Sequence, residues 1–180
     1  MARRFEFVSA SHSLDRFQNE DEYLRDYLES HSLQHSLDGL ARTYVLLDDA
    51  LAGWDPAVPL GYITLRADSL SFYLPGHSSK SFVPVIELEC LARHSAFEGG
   101  TPDGVHLGGV LLVEACRRVY EAAQIVGIAG MHLWATRMGR KLYDRYQLGA
   151  HPYESPDNQL GYFVWMAEIQ QIIDVDAELI

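Results

Sequence analysis

The chain has 180 residues, 48% of them apolar, and its 14 Lys and Arg against 25 Asp and Glu give a formal charge of −11. This size and composition predict one globular domain over residues 1–180. The negative charge disfavours a large nucleic-acid footprint and suits a neutral or basic partner. No apolar run approaches the ~20 residues of a membrane span, and the basic start leads into no apolar segment, so we expect a cytoplasmic protein without membrane contact.

Hydrophobic periodicity and turn residues give the order of elements along the chain. The first half contains a short strand, two helical pieces and three strands, at 5–9, 19–28, 33–40, 43–47, 60–66 and 83–92. The second half contains a helix, a strand, a helix and a strand, at 108–124, 128–135, 137–146 and 161–166. This order predicts an α+β fold, in which helices cover a mixed sheet.

A glycine-containing loop leads from the strand at 83–92 into the cleanest amphipathic helix. Gly104, Gly108 and Gly109 lie just before or at the start of that helix. A helix N-terminus presents unpaired backbone N–H groups and a partial positive charge, and glycines let a phosphate approach them closely. The loop is therefore a candidate diphosphate site, and the alternative is a plain turn before a helix. It matches neither a Walker loop nor a GxGxxG fingerprint.

Several strings resemble GNAT acetyltransferases, and they are most similar to the GNAT-type toxins of toxin–antitoxin modules. The similar strings are residues 19–28, 42–48, 60–65, 87–92 and 141–145, and the resemblance extends over roughly residues 5–166. It implies a three-layer α/β/α fold with a mixed, mostly antiparallel sheet and a central splayed strand pair. It also implies acetyl-CoA as the acetyl donor.

The same resemblance implies where coenzyme A binds. Pantetheine would lie between the strand ending near Ala92 and the strand starting at Ile128, and the glycine loop would hold the pyrophosphate. The implied cofactor-binding residues are Leu91, Ala92, Arg93, Gly104, His106, Leu107, Gly108 and Gly109.

This sequence departs from the family pattern in the loop. Glu98 occupies a position where Gln or Arg is usual, His106 replaces a glycine, and roughly five residues are inserted between them. A carboxylate at Glu98 or Asp103 that points inward would repel a pyrophosphate. A degenerate GNAT-fold module that binds a partner without catalysis therefore remains the alternative function.

The candidate catalytic residues are Tyr143, Glu87 and Glu89. The resemblance implies that Tyr143 protonates the departing thiolate, and the alternative is a packed aromatic side chain. Glu87 and Glu89 alternate out of an apolar strand as candidate general bases, unless they are salt-bridged or face solvent. His94, just past the strand end, is a third candidate base.

No metal site is predicted. His31 and His35 stand four residues apart without a carboxylate partner in a zinc motif, and Cys90 and Cys116 lack CxxC spacing. We expect both cysteines to be buried free thiols.

The leading function is transfer of an acetyl group from acetyl-CoA to a primary amine of a small molecule, a protein or an aminoacyl-tRNA. The net charge favours a small or protein amine over tRNA. The resemblance to toxins implies an antitoxin partner, and a homodimer is left open.

Overall fold

The computed structural model describes residues 3–73, 78–148, 153–154 and 160–178. Its strands are β1 (Arg3–Phe7), β2 (Arg42–Asp48), β3 (Gly61–Tyr73), β4 (Lys80–Arg93), β5 (Gly130–Ala135), β6 (Tyr153–Glu154) and β7 (Leu160–Trp165). Its helices are α1 (Glu22–Asp26), α2 (Ser32–Leu37), α3 (Leu107–Ala123), α4 (Arg137–Arg145) and α5 (Met166–Glu178), and a π-helical segment, Tyr27–His31, joins α1 to α2.

Two compact units make up the chain. The first unit comprises Met1–Leu65 and Glu89–Leu112, and the second comprises Arg66–Leu88 and Val113–Ile180. Strands β3 and β4 and helix α3 each contribute residues to both units.

The first unit is built on strands in the order β1-β2-β3-β4. Antiparallel pairing sets Phe5 opposite Leu46 and Val45 opposite Tyr62. The buried hydroxyls of Thr43 and Thr64, which are cross-strand partners, lie 2.9 Å apart and satisfy each other. These pairs fix the register of β2 against β3.

Helices cover both faces of this sheet. On one face, Tyr62 packs with Tyr27, Leu28 and Cys90 in a cluster of fully or nearly fully buried side chains. Its phenol donates to the carbonyl of Leu24 at 2.6 Å, so the buried hydroxyl is paired. On the other face, α3 approaches the sheet at Gly61, where a Cβ would meet Leu111 at 2.9 Å and the carbonyl of Ala92 at 2.8 Å. A glycine is therefore required here, and the layering is the expected α/β/α.

The second unit contains strands in the order β3-β4-β5-β7-β6. β5 pairs antiparallel with β7 along its whole length, whereas β4 and β5 pair in parallel over three residues only, from Ile86 with Met131 to Leu88 with Leu133. Both strands continue beyond this ladder. The mixed, mostly antiparallel sheet is confirmed, and the short parallel ladder is what a splayed pair predicts.

The element boundaries depart from the sequence-based ones at several points. β1 begins at Arg3, β3 continues to Tyr73, and α1 begins after Asp21 instead of Asn19. Asp21 caps the helix by accepting from the N–H of Tyr23 at 3.0 Å. The C-terminal helix α5 was not predicted, because its apolar residues follow those of β7 directly, with no turn residue to separate the two elements.

Two further expectations, on the cysteines and on a membrane span, can be compared with the structure. Cys90 and Cys116 are buried free thiols, and burial raises the pKa of Cys116 to about 12. Among the described residues, no helix is long and apolar enough to cross a membrane.

Candidate functional site

The end of β4 presents a backbone edge that β3 does not use. The N–H of His94 donates to the carbonyl of Leu60 at 2.7 Å, which identifies the side facing β3. Because backbone groups alternate along a strand, those of Leu91 and Arg93 point to the other edge. Asn19 donates to the carbonyl of Arg93 at 2.8 Å. Within the described residues, the N–H and C=O of Leu91 and the N–H of Arg93 have no strand partner.

The inserted loop closes on itself after β4. Gly100 and Gly104 have φ of 108° and 81°, a conformation that glycine adopts without strain. Thr101 donates its N–H to the carbonyl of Val105 at 3.0 Å, and its hydroxyl accepts from the N–H of Val105 at 3.2 Å. We call this segment the Thr101–Val105 turn. It absorbs the extra residues, so the chain reaches the start of α3 in a defined conformation.

Glu98 and Asp103, the two loop carboxylates that could repel a diphosphate, are both paired with arginines. Asp103 lies 2.7 Å from Nη2 of Arg3, and hydrogen bonds from Arg3 and Thr101 lower its pKa to about 2. Glu98 lies 3.5 Å from the guanidinium of Arg93. These ion pairs offset part of the negative charge that the sequence places in the loop.

The first turn of α3 offers backbone donors. The N–H groups of Gly109 and Val110 both donate to the carbonyl of His106, at 3.1 and 3.4 Å. Within the part of the chain that the structure describes, the N–H groups of Leu107 and Gly108 have no acceptor. The His106 side chain is exposed.

These features fit a diphosphate joined to a pantetheine arm. The unpaired N–H groups and the positive end of the α3 dipole suit phosphate oxygens, and the free edge at Leu91 suits an amide-containing arm. All eight sequence-predicted cofactor residues lie in the first unit, on β4, in the loop or at the start of α3.

Tyr143 is a buried side chain of α4 in the second unit. Thr136 caps this helix by accepting from the N–H of Gly139 at 3.1 Å. The ring of Tyr143 is 5% exposed and its centroid lies 5.4 Å from that of Tyr162. Burial, and secondarily Tyr162, raises the pKa of Tyr143 well above its usual range. The phenol therefore holds its proton at neutral pH.

Glu87 belongs to a buried polar network in the second unit. It forms an ion pair with Arg66, and it lies beside His132, its partner across the β4–β5 ladder. His132 is 1% exposed, and its Nε2 lies 2.9 Å from Asp68. Burial lowers the pKa of His132 against the opposing effect of Glu87 and Asp68. The carboxylate of Glu87 is thus engaged by a cation.

The same network is the one group among the described residues whose ligand atoms could surround a metal ion. Oxygens of Asp68 and Glu87 and a nitrogen of His132 lie within 4.8 Å of one another. A divalent cation would have to displace the guanidinium of Arg66, which already supplies the positive charge. Sequence reasoning missed this network, although a lone histidine in the apolar strand Gly130–Ala135 was a visible signal.

Glu89 contacts the first helical segment. Tyr27 donates its hydroxyl to Oε2 of Glu89 at 3.4 Å, and the same hydroxyl lies 3.3 Å from Nδ1 of His35. All three residues belong to the first unit. Glu87 and Glu89 therefore differ in environment, one beside an arginine and the other beside a phenol.

His94 is held by its surroundings. Its Nδ1 accepts from the N–H of Ala96 at 3.1 Å, and its Nε2 lies 3.4 Å from the carbonyl of Arg16. Burial lowers its pKa. It borders a cavity of about 280 Å³ together with Trp54, whose ring centroid lies 4.8 Å away. Both ring nitrogens of His94 have partners, so the geometry indicates a structural residue that holds the end of β4 in place.

The strand order, the short parallel ladder and the free edge of β4 define the GNAT fold. No family model matches the sequence. Solved structures do: an AtaT toxin with a tyrosine-to-phenylalanine mutation, bound to the C-terminus of the antitoxin AtaR and acetyl-CoA, has 21% identity and a TM-score of 0.74, over 96% of this chain and 98% of that one.

Two further structures agree. A tyrosine-to-phenylalanine mutant of KacT has 21% identity and a TM-score of 0.76, over 96% of this chain and 99% of that one. AtaT complexed with acetyl-methionyl-tRNAfMet has 22% identity and a TM-score of 0.75, over 94% and 98%. The structural neighbours of this chain are thus GNAT-fold toxins of toxin–antitoxin modules, and the likeness establishes the fold.

Proposed function

We propose that this protein is an acetyl-CoA-dependent N-acetyltransferase. The observation that carries the proposal is the combination, in one unit, of a free strand edge at Leu91, a closed glycine turn and unpaired N–H groups at Leu107 and Gly108. Structural neighbours bound to acetyl-CoA support it.

The first unit would bind and orient the donor. The N–H and C=O of Leu91 and the N–H of Arg93 would pair with the amides of pantetheine, and the start of α3 would hold the pyrophosphate. Acetyl-CoA supplies an activated thioester, whose aminolysis is favourable. The contribution of the protein is therefore positioning and the handling of protons.

Tyr143 is the proposed general acid. A thiolate leaves when the amine attacks the thioester, and a phenol whose pKa is raised by burial is protonated and ready to donate. Neighbouring structures of AtaT and KacT carry a replacement of a tyrosine by phenylalanine.

Glu89 is preferred over Glu87 as the group that receives the proton of the amine. The ion pair with Arg66 holds the carboxylate of Glu87 in place, and a buried paired carboxylate is costly to separate from its cation. Glu89 is half-buried and stands two residues before Leu91, on the segment of β4 proposed to hold the donor.

For the acceptor, we propose the amino group of an aminoacyl-tRNA, with a small or protein amine as the second candidate. The AtaT complex with acetyl-methionyl-tRNAfMet favours the first, and the charge of −11 favours the second. Arg118 is paired with Glu114 at 2.7 Å. The described cations exposed for a phosphate backbone on α4 are Arg140, Lys141 and Arg145.

An antitoxin is the proposed protein partner. AtaT is bound to AtaR in three of the neighbouring structures, and the acidic chain suits a basic segment of a partner.

Calorimetry with acetyl-CoA and with acetyl-pantetheine tests the donor site. We expect micromolar binding of acetyl-CoA and roughly hundredfold weaker binding of acetyl-pantetheine, which lacks the diphosphate. Absence of binding at millimolar acetyl-CoA would favour the non-catalytic module. Labelled acetyl transfer to total aminoacyl-tRNA, compared with deacylated tRNA, free lysine and protein, then identifies the acceptor.

A further inference from the structure

A row of aromatic side chains follows the first helical segment at intervals of four residues. Tyr27 stands between Tyr23, at a centroid distance of 6.2 Å, and His31, at 6.3 Å. The π-helical segment Tyr27–His31 adds one residue per turn, so His35 also reaches Tyr27, at 5.6 Å. His35 in turn stacks on His31 at 5.7 Å.

The hydroxyl of Tyr27 has one proton and, besides a hydrogen bond with Thr64, faces a carboxylate and an imidazole. Oε2 of Glu89 lies 3.4 Å away and Nδ1 of His35 lies 3.3 Å away. Tyr27 is 3% exposed, His35 is half-buried, and His31 is exposed. The three polar groups therefore lead from the interior of the first unit to its surface.

We propose that Glu89, Tyr27 and His35 form a proton relay that removes the proton of the acceptor amine. The relay rests on the proposed acetyltransferase function. The ammonium of the acceptor loses a proton to Glu89. The carboxyl of Glu89 then donates to Oη of Tyr27, whose own proton passes to Nδ1 of His35, in its Nε2–H tautomer. The imidazolium releases a proton from Nε2 to water, and the amine is left neutral to attack the thioester.

Position on β4 selects Glu89 as the entrance of this relay. Glu89 lies four residues before the strand end at Arg93, or about 13 Å at the rise of a strand. That is about the length of a pantetheine arm whose pyrophosphate lies at the loop. Glu87, two residues earlier, is engaged by Arg66.

The groups around Tyr27 agree with a passing proton. Burial first, then the nearby Glu89 and Cys90, raise the pKa of Tyr27, and a hydrogen bond with Thr64 opposes them. The phenol therefore exchanges one proton for another and does not persist as a phenolate at neutral pH. The other titratable groups described around this ring are Tyr23, His31, Tyr62 and Cys90.

Buffer rescue tests the exit of the relay. In single-turnover transfer from acetyl-CoA to aminoacyl-tRNA, at low buffer concentration, we expect His35→Ala to slow the reaction about tenfold and added imidazole to restore it. The matched control is His31→Ala, which removes the neighbouring imidazole and should change neither rate nor buffer dependence. A His35→Ala rate equal to the wild-type rate, or a loss that imidazole does not restore, overturns the relay.

Tyr27→Phe tests the middle of the relay, with thermal unfolding to establish that the variant folds. We expect a similar loss of rate, an unchanged affinity for acetyl-CoA and no rescue by imidazole, since the break lies before His35. Full wild-type activity of Tyr27→Phe would also overturn the relay.

The NMR chemical shifts of the His35 ring give a readout that is independent of activity. We expect Glu89→Gln to change these shifts, and the change to shrink at least by half in a Tyr27→Phe background. An effect of equal size in both backgrounds contradicts a coupling through Tyr27. Lack of acetyl transfer by the wild type contradicts the proposed function instead, and this double-mutant cycle then decides the relay alone.

Discussion

The guanidinium of Arg3 determines how the inserted loop is held. It lies 3.1 Å from the buried carboxylate of Asp48 on β2, and it reaches Asp103 at 2.7 Å and the hydroxyl of Thr101 at 3.2 Å. One residue of β1 thus joins a sheet carboxylate to the loop that precedes α3. In the sequence, Asp103 is a carboxylate that could repel a diphosphate. In the structure, this carboxylate forms an ion pair with Arg3.

Replacement of Tyr143 by phenylalanine isolates the role of its hydroxyl. The ring stays packed against Tyr162, so we expect folding and acetyl-CoA affinity to be unchanged, while turnover falls roughly a hundredfold because the leaving thiolate loses its acid. Steady-state kinetics and calorimetry measure the two effects separately. Tyr120→Phe, on the half-buried face of α3, is the control. Unchanged turnover of Tyr143→Phe would remove this residue from the mechanism.

At the level of elements, the loop between β4 and α3 decides whether the donor site is present. Its residues include the Thr101–Val105 turn, which is closed by hydrogen bonds between Thr101 and Val105. That turn needs Gly104, whose φ of 81° suits glycine. A Cβ at this position would meet no atom within 4 Å, so the backbone conformation alone accounts for the glycine.

Gly104→Ala and Gly53→Ala form a matched pair. Gly53 has φ of 78° and equally open surroundings, so both substitutions should cost about 1 kcal/mol of stability through backbone strain alone. Only Gly104→Ala should weaken acetyl-CoA binding, by about tenfold, because only that turn sets the N–H groups at the start of α3. Urea unfolding and calorimetry provide the two values. Equal affinities in the two variants would contradict a diphosphate site at this loop.

For the molecule as a whole, a charge of −11 limits how a polyanion can bind. The long-range field opposes tRNA, so any contact depends on local cations. Arg118 forms ion pairs with Glu114 and Glu121. Three exposed cations are described on α4, namely Arg140, Lys141 and Arg145. A tRNA complex is therefore expected to have a small electrostatic footprint.

The salt dependence of tRNA binding measures that footprint. Three phosphate contacts predict a plot of log affinity against log salt with a slope no steeper than about −3. Filter binding of deacylated tRNA at several NaCl concentrations gives the slope, and Arg140→Gln with Lys141→Gln should make it shallower by about two. A slope near −6 would require a basic surface elsewhere on the protein.

The α+β class and most of the order of elements could be predicted from the amino-acid sequence, which also supplied the candidate site as a hypothesis. Strands such as Thr43–Leu47 and the helix that follows Gly108 have periodicities that depend only on neighbouring residues, so they can be read locally. The glycine loop could be proposed as a diphosphate site from its own residues, whereas the role of Tyr143 was implied only by the family resemblance, and both stay predictions.

Which side chains meet could be learned only from the folded chain. The pairing of Asp103 with Arg3 spans 100 residues, that of Tyr27 with Glu89 spans 62, and that of Asp68 with His132 spans 64. Such contacts follow from strand register and helix placement, which a linear pattern does not contain. Glu87 and Glu89 of β4 are equivalent in the sequence. In the fold they differ, because Arg66 of β3 pairs with Glu87 and Tyr27 of the first helical segment contacts Glu89.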